Sequence, residues 1–185
     1  MPQEPKRLTL PLSEEVILFL RAGDACLLNG TAYTARDAAH RRICETLDAG
    51  LKPPFELKDS AIYYAGPAPA SAGHAVGPIG PTTSYRMDAY APMLLREGAR
   101  VMIGKGDRSE EVIGAIKEYR GIYFAAVGGA AALLAGRVMS CEICAYPDLG
   151  AEAVYRLELQ DFPVFVAIDT FGNDIYKEGP AKYRV

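Results

Sequence analysis

The sequence lacks three features that would each point to a large class of proteins. It has no excess of positive charge, since 20 lysines and arginines stand against 23 aspartates and glutamates, and the net charge is -3; a general nucleic-acid binder is usually basic. No apolar run approaches the roughly 20 residues that a membrane-spanning helix requires. Residues 1–7 lack the apolar core of a signal peptide. We therefore expect a globular protein of the cytoplasm.

Familiar catalytic and metal-binding motifs are also missing. No Ser, His and Asp spacing suggests a triad, and no His, Asp and Glu cluster has the spacing of metal ligands. Cys26 and Cys44 lie in apolar, periodic segments and are interpreted as small core residues. Cys141 and Cys144 form a single CxxC on a predicted strand, with no second pair and no helix beginning there. A structural role is therefore favoured over zinc or redox chemistry.

The order of predicted elements indicates an α/β fold over the whole chain, residues 1–185, with short extensions at about 1–7 and 177–185. Strand and helix patterns alternate in the second half, which implies some parallel pairing, and extra β-structure is expected at both ends. The segment 25–34 is predicted to be two strands joined by an Asn-Gly turn. Further strands are expected at 61–65, 100–103, 122–127, 142–146, 154–159 and 164–169, and helices at 14–20, 35–47 and 110–119.

The most informative segment is the loop 77–87, Gly-Pro-Ile-Gly-Pro-Thr-Thr-Ser-Tyr-Arg-Met. Two glycines and two prolines make the backbone stiff and tightly turned. The hydroxyl residues that follow resemble caps of a helix over 85–90, with Arg86 one turn after Thr82. Free N–H groups at a helix start, together with an arginine, suit a small anion. We therefore predict a carboxylate or phosphate site that contains a reactive hydroxyl.

Other cations are expected to join this site. Lys105 lies between two glycines, Arg36 lies one residue into its predicted helix, and the Gly pair 128–129 opens another helix. The carboxyl ends of parallel strands meet at one edge of a sheet, where ligands usually bind. Three converging cations would suit a dicarboxylate, because arginine can grip a carboxylate with two parallel hydrogen bonds.

Each cation also has a structural interpretation. Arg36 and Arg86 could form ordinary surface ion pairs, although their positions at helix starts, where a cation opposes the dipole, favour a site. Arg108 is more simply explained by pairing with Glu110 or Glu111 on the neighbouring helix.

The two histidines remain open to either interpretation. His40 lies four residues after Arg36, on the same helical face, where it could orient a ligand or fill a core position. His74 lies in a loop rich in Gly and Ala, and an exposed loop histidine is favoured there over a mobile site residue.

Five motifs in this order closely resemble the β subunit of class I fumarate hydratase, which is equivalent to the C-terminal domain of the single-chain iron–sulfur fumarases. They are the segments 34–40 (Thr-Ala-Arg-Asp-Ala-Ala-His), 80–87, 104–109 (Gly-Lys-Gly-Asp-Arg-Ser), 127–131 and 161–163. The related L(+)-tartrate dehydratase β subunit has the same layout. The resemblance extends from about residue 8 to residue 176 and implies a swivelling β/β/α domain.

The resemblance also implies roles for individual residues. Thr82 corresponds to the threonine proposed as catalytic base for the C3 proton of malate, and Arg86 to an arginine that binds a substrate carboxylate. Arg36 and Lys105 match the other two cationic substrate contacts, and His40 belongs to the matching segment as a further substrate-binding candidate. A hydroxyl is a poor base near neutral pH, so Thr82 would need an activating partner.

The resemblance places the cofactor outside this chain. In the family, a separate α subunit carries the three cysteines of an oxygen-sensitive [4Fe-4S] cluster whose fourth iron is open to substrate. The four cysteines of this sequence do not match those positions, which implies that this chain binds no cofactor or metal and works in an α2β2-type assembly.

The sequence therefore predicts the β subunit of an iron–sulfur hydro-lyase of the tricarboxylic acid cycle, which hydrates fumarate reversibly to (S)-malate. One alternative is the L(+)-tartrate dehydratase β subunit, which forms oxaloacetate; the segment 106–109 favours the fumarase branch, because single-chain fumarases carry a similar Lys-Gly-Asn-Arg-Ser turn. Another is a non-catalytic anion-binding module of the same fold, against which Thr82 beside Arg86 argues.

Overall fold

The computed structural model describes the backbone of residues 4–183 and the side chains of residues 4–179. Within that range no helix is long and apolar enough to cross a membrane. The strands are β1 (Lys6–Thr9), β2 (Ala25–Thr34), β3 (Ala61–Tyr63), β4 (Val101–Gly104), β5 (Ile122–Ala125), β6 (Val138–Ala145) and β7 (Val154–Ile168). The helices are α1 (Glu14–Phe19), α2 (Asp37–Asp48), α3 (Ala91–Arg96), α4 (Glu110–Tyr119), α5 (Ala131–Ala135) and α6 (Ile175–Tyr183), with 3-10 segments at Ser84–Met87 and Pro147–Glu152.

All seven strands belong to one sheet in the order β1-β2-β3-β4-β5-β7-β6. Strands β1 to β5 pair in parallel, which confirms the α/β class, while β7 runs antiparallel to β2, β5 and β6. Because β7 also pairs with β2, the ladder β2-β3-β4-β5-β7 closes on itself. The parallel strands therefore present their carboxyl ends at one rim of a closed sheet.

Side chains alternate between the two faces of the short central strands, so the hydrophobic core consists of two clusters. Ala61 and Tyr63 of β3 face an inner cluster that also contains Ile103, Phe124 and residues of β7. Ile62 faces an outer cluster, where helices α2, α3 and α4 pack against the sheet. The period-2 geometry of a strand sends neighbouring side chains to opposite faces, so buried strands read as continuous apolar runs.

Two predicted turns are absent because the strands continue through them. The segment 25–34 is one strand, and a single strand, β7, replaces the two predicted over 154–169. The irregular residues lie opposite each other: Asn29 Oδ1 accepts a hydrogen bond of 3.0 Å from the backbone N–H of Asp161, and the β2–β7 register shifts between Leu28 and Gly30. Gly30 has φ +99°, and a Cβ there would lie 2.7 Å from the Leu10 carbonyl oxygen. The Asn-Gly pair therefore marks a bulge and not a hairpin turn.

Candidate active site

The candidate residues gather where the four central parallel strands end. Arg36 follows the last residue of β2 by two positions, and Lys105 follows β4 directly. The Gly pair 128–129 comes shortly after β5. Since β2, β3, β4 and β5 run parallel, these positions share one rim of the sheet. The predicted convergence at the carboxyl ends is therefore confirmed.

The loop that carries Thr82 is fixed between the ends of β3 and β4. The Thr82 N–H donates to the carbonyl oxygen of Tyr64 at 2.6 Å, and Ala65 and Pro81 form an isolated antiparallel bridge. On the other side, Thr83 forms a parallel bridge with Lys105. The Thr82 side chain is half-buried, and its hydroxyl has no hydrogen-bond partner among the described residues. An anchored backbone thus presents a hydroxyl that no side chain or backbone group of the described residues occupies.

The prediction of a capped α-helix directly after this loop is wrong, and this matters for anion binding. Ser84–Met87 is a four-residue 3-10 turn, and Thr83 before it makes no side-chain cap. The N–H groups of Thr82 and Ser84 are already used, on Tyr64 and Lys105 respectively. Two of the N–H groups expected to be free are therefore paired, and the cationic side chains become the main candidates for anion binding at this rim.

Arg86 is held by a carboxylate from the start of α2. Its Nε donates to Asp37 Oδ1 at 3.0 Å, while the side chain stays 44% exposed. Neither terminal Nη atom has a hydrogen-bond partner among the described residues. Asp37 thus fixes the Nε side of the guanidinium and leaves the Nη pair available for bidentate binding of a carboxylate.

Arg36 is held by a carboxylate from the 3-10 segment Pro147–Glu152. Its Nη2 lies 3.2 Å from Glu152 Oε1, and the other oxygen of Glu152 accepts from the Ala38 N–H at 3.0 Å. Arg36 itself precedes α2 and makes no side-chain cap, so Glu152 supplies the acceptor that the helix start needs. A Cβ at Gly66 would lie 3.2 Å from Arg36 Cδ. The side chain therefore lies directly beneath the end of the β3 loop.

His40 is completely buried beneath these arginines. Its Nδ1 lies 3.0 Å from the Arg36 carbonyl oxygen, and its ring packs edge-on against Tyr64 and stacks with Tyr90. Burial lowers the pKa of His40 to about 4, so the ring is neutral at pH 7 and donates from Nδ1 to that carbonyl. This environment suits a residue that positions Arg36. The other histidine, His74, is exposed in its loop.

Lys105 differs from Arg36 and Arg86 because its side chain contacts no carboxylate among the described residues. Its ammonium forms no ion pair with a carboxylate among the side chains of residues 4–179, and the side chain is half-buried. A Cβ at Gly128 would lie 3.6 Å from Lys105 Cδ, so the Gly pair leaves room along the lysine stem. Its charge is therefore available to a ligand.

Arg108 is a structural residue, but its predicted partners are wrong. The side chain is 0% exposed, and its Nε donates to Asp88 Oδ1 at 2.6 Å instead of to Glu110 or Glu111. The other oxygen of Asp88 accepts from the Ser109 N–H at 2.7 Å. The guanidinium also lies over the rings of Tyr64 and Tyr123. Arg108 therefore supports the floor of the site and does not face a ligand.

The cysteines of this chain do not fit an iron–sulfur cluster. Cys26 and Cys44 are buried in different core clusters, and Cys141 and Cys144 lie on strand β6. Three positions along a strand span roughly 10 Å, so the two thiols of the CxxC do not meet. Among the described residues, no group of three or more His, Cys, Asp or Glu side chains could hold a metal ion.

Gly104, at the end of β4, is expected to tolerate no side chain. A Cβ there would lie 2.0 Å from Ser84 Oγ and 2.9 Å from Tyr64 Cδ2, both in buried residues. Gly104→Ala should lower the free energy of unfolding by about 1–3 kcal/mol in urea denaturation, as overpacking does. The control is Gly114→Ala in α4, where nothing lies within 4 Å and a stability gain of up to about 1 kcal/mol is expected. Equal stability of Gly104→Ala and wild type would contradict the close packing.

Sequence reasoning missed the groups that hold the cations in place. Asp37 lies inside a recognised motif, yet nothing in the local pattern linked it to Arg86, 49 positions away. Glu152 follows an unremarkable Gly-Ala stretch and carries no local signal for a contact with α2. The buried Tyr123 appeared only as an apolar strand residue.

Comparison with known proteins agrees with this arrangement. The family model described as "Fumarase C-terminus" matches residues 3–179. The chain is 44% identical over 153 residues to "Fumarate hydratase class I, aerobic" of Escherichia coli (strain K12), a match that covers 82% of this chain and 28% of that protein. It is also 44% identical over 158 residues to "Fumarate hydratase 2" of Leishmania major, covering 84% and 28%.

A third relative matches over nearly its full length. The chain is 40% identical over 173 residues to the "Putative L(+)-tartrate dehydratase subunit beta" of Methanocaldococcus jannaschii, which covers 90% of this chain and 89% of that protein. The chain thus spans only 28% of the length of the first two relatives but corresponds to a whole subunit of the third. The resemblance seen in the motifs is confirmed, and the chain belongs to the Fumarase C-terminus family.

Proposed function

We propose that this chain is the swivelling β/β/α subunit of an iron–sulfur hydro-lyase that interconverts fumarate and (S)-malate. The observation that carries the proposal is the rim geometry: Arg36, Lys105 and the loop of Thr82 and Arg86 follow the ends of neighbouring parallel strands. An enzyme that dehydrates a hydroxy-dicarboxylate needs cations for the two carboxylates and a proton-transfer group between them. The rim supplies both kinds of group from three different strand ends, those of β2, β3 and β4.

The cations differ in how they would act. Arg86 offers its Nη pair to one carboxylate, because Asp37 holds the Nε side. Arg36 is oriented by Glu152 on one side and by the backbone contact with His40 on the other. Lys105 carries a charge without an intrachain carboxylate among the described residues, so it can stabilise negative charge that builds on the substrate as the C3 proton leaves.

Thr82 would transfer the C3 proton. Its backbone is anchored to Tyr64, so the hydroxyl position is fixed before a ligand binds. A free hydroxyl holds its proton near neutral pH, so activation must come from a base that contacts its oxygen. No described residue of this chain donates to or accepts from that oxygen. The activating group is therefore proposed to belong to the partner.

The proposal of a partner subunit rests on the positions of the cysteines in this chain and on the greater length of its relatives. The fumarate hydratase relatives are more than three times as long as the matched segment, since that segment covers 28% of them. Because the cysteines here do not fit a cluster, we propose that a separate α subunit holds the [4Fe-4S] group and covers this rim in an α2β2-type assembly. The chain would contribute Thr82 and the three cations.

A second candidate substrate is L(+)-tartrate. The observation that favours it is the near full-length match to a β subunit bearing that name. Tartrate is also a dicarboxylate with a hydroxyl next to the carbon that loses a proton, so the same cations and the same hydroxyl would serve. A non-catalytic anion-binding module would not need an anchored loop that presents the Thr82 hydroxyl.

The decisive experiment is anaerobic co-expression with the α subunit, followed by assays with malate and with L(+)-tartrate. We expect the complex to form fumarate from malate, seen as ultraviolet absorbance, and to lose activity in air. The chain alone should be folded, colourless and inactive. Turnover of tartrate alone would assign the second substrate. Dehydration of malate by the chain alone would refute the subunit proposal, and a stable complex inactive on both substrates would refute the proposed reaction.

A further inference from the structure

In the turn that carries Lys105, the backbone N–H and C=O groups of Lys105 and Gly106 are all hydrogen-bonded. The Lys105 N–H donates to Ser84 Oγ at 3.0 Å, and the Lys105 carbonyl accepts from the Ser84 N–H at 2.9 Å. The Gly106 N–H donates to the Tyr176 hydroxyl at 3.2 Å, and the Gly106 carbonyl accepts from the Tyr123 hydroxyl at 2.9 Å. A turn next to glycines would otherwise be free to change conformation.

Two of the groups that bind the turn form a closed chain of hydrogen bonds. The Tyr123 hydroxyl lies 2.8 Å from Ser84 Oγ as well as 2.9 Å from the Gly106 carbonyl. Tyr123 has one hydroxyl hydrogen and a carbonyl can only accept, so that hydrogen goes to Gly106 and Ser84 donates to the tyrosine oxygen. The chain therefore runs from the Lys105 N–H through Ser84 and Tyr123 to the Gly106 carbonyl, and every donor is used.

Burial makes this chain costly to break. Ser84 and Tyr123 are both 0% exposed, so water cannot replace a lost partner without rearrangement. The Tyr123 ring is further held beneath the Arg108 guanidinium, 5.0 Å from the ring centre. Burial raises the pKa of the Tyr123 hydroxyl, which keeps it protonated as a donor.

We propose that Ser84 and Tyr123 are positioning residues that fix the Lys105 side chain relative to Thr82. Ser84 belongs to the same loop as Thr82, two positions later, and binds both sides of the Lys105 backbone. Tyr123 comes from β5 and prevents the turn from moving away. The Lys105 backbone, from which the charged side chain extends, and the loop of Thr82 are thereby held together before a ligand arrives. This inference rests on the proposed function for its effect on turnover.

The test compares Tyr123→Phe with Tyr63→Phe. Both tyrosines are 0% exposed, and the Tyr63 hydroxyl donates to the Ile79 carbonyl at 3.0 Å on the inner face of the sheet. Each variant loses one buried hydroxyl and keeps its ring. In the α–β complex, Tyr123→Phe should lower kcat by about 10- to 100-fold with a smaller change in KM, because a shift of the lysine on the order of 1 Å misaligns the charge. Tyr63→Phe is the control for exchange only, because its hydroxyl holds the Ile79 carbonyl in the loop of Thr82; kcat is compared with the wild type.

A second readout needs no substrate. Amide hydrogen exchange at Lys105 and Gly106, measured in the full chain, should accelerate by about 10-fold in Tyr123→Phe and in Ser84→Ala, but not in Tyr63→Phe. The free-energy change for amide opening in the double variant Ser84→Ala/Tyr123→Phe should be smaller than the sum of the changes in the two single variants, because both residues act on one chain of hydrogen bonds. Tyr176→Phe should accelerate exchange at Gly106, whose N–H donates to that hydroxyl, but not at Lys105, whose N–H donates to Ser84.

Unchanged exchange at Lys105 in both Tyr123→Phe and Ser84→Ala would overturn the positioning role. So would accelerated exchange with kcat equal to that of the wild type, because the turn would then be ordered without consequence for the reaction. The exchange readout also separates this inference from the proposed function. It decides whether the turn is held even if the complex acts on neither malate nor tartrate.

Discussion

Replacing Thr82 by alanine is expected to lower kcat of the α–β complex by about 10³-fold, within the range that a lost general base produces. The loop backbone should remain in place, because it is held by the bond from the Thr82 N–H to Tyr64 and by the Thr83–Lys105 bridge, neither of which uses the threonine side chain. Substrate binding by the cations is therefore retained, and KM should change little. Steady-state kinetics with malate give both parameters.

The matched control for this variant is Thr83→Ala in the same loop. The Thr83 side chain makes no cap hydrogen bond, and its methyl group faces Gly106, where a Cβ would lie 3.7 Å away. It should therefore retain most of the activity. Thr82→Ser keeps a hydroxyl and should retain far more activity than Thr82→Ala. Wild-type turnover by Thr82→Ala would show that another group accepts the proton.

Replacing Arg86 by alanine is expected to lower kcat/KM by about 10²–10³-fold, as the loss of one transition-state hydrogen-bond donor does. The Nη pair is the part of this side chain that no described residue occupies, so its loss removes bidentate binding of a carboxylate and should raise KM as well. Arg86→Lys should recover little, because an ammonium restores the charge but not the planar fork. Lys105→Ala should also raise KM.

The control for charge removal is Arg100→Ala. Arg100 precedes β4 at the opposite edge of the sheet and pairs with Glu14 at 3.2 Å. It therefore has an ion pair like that of Arg86 but lies away from the rim, and kcat/KM should stay near wild type. If both variants lost activity equally, the effect of Arg86→Ala would come from stability and not from ligand binding. Thermal unfolding of both complexes provides that check.

Elements with strong local signals could be predicted closely from the sequence. Helix α4 begins and ends where expected, because Ser109 caps it through the Val112 N–H and two glutamates follow in the first turn. Helix α2 ends near the expected Gly50, which has φ +68°. The strand ends were also close enough to place Arg36 and Lys105 at one rim. In each case the deciding interaction lies within a few residues along the chain.

Elements that depend on partners elsewhere in the chain were misread. The Asn29–Gly30 pair is typical of a hairpin turn, yet β2 continues because β7 lies alongside it through most of its length. The segment after Thr83 is a short 3-10 turn, and its first N–H, that of Ser84, donates to the Lys105 carbonyl of a distant strand end. A pairing between strands outweighs a local preference whenever both sides of the ladder gain hydrogen bonds.

The sequence by itself determined the membership of the family, the α/β class and the candidate residues Thr82, Arg36, Arg86 and Lys105, because motifs and strand–helix alternation are local properties. Only the tertiary structure decided what holds those residues in place. Asp37 meets Arg86 across 49 positions, and Tyr123 meets Ser84 across 39. Such contacts exist only once strands β2 to β5 have paired, since that pairing brings distant segments to one rim, and no local pattern records which distant donor a buried acceptor will find.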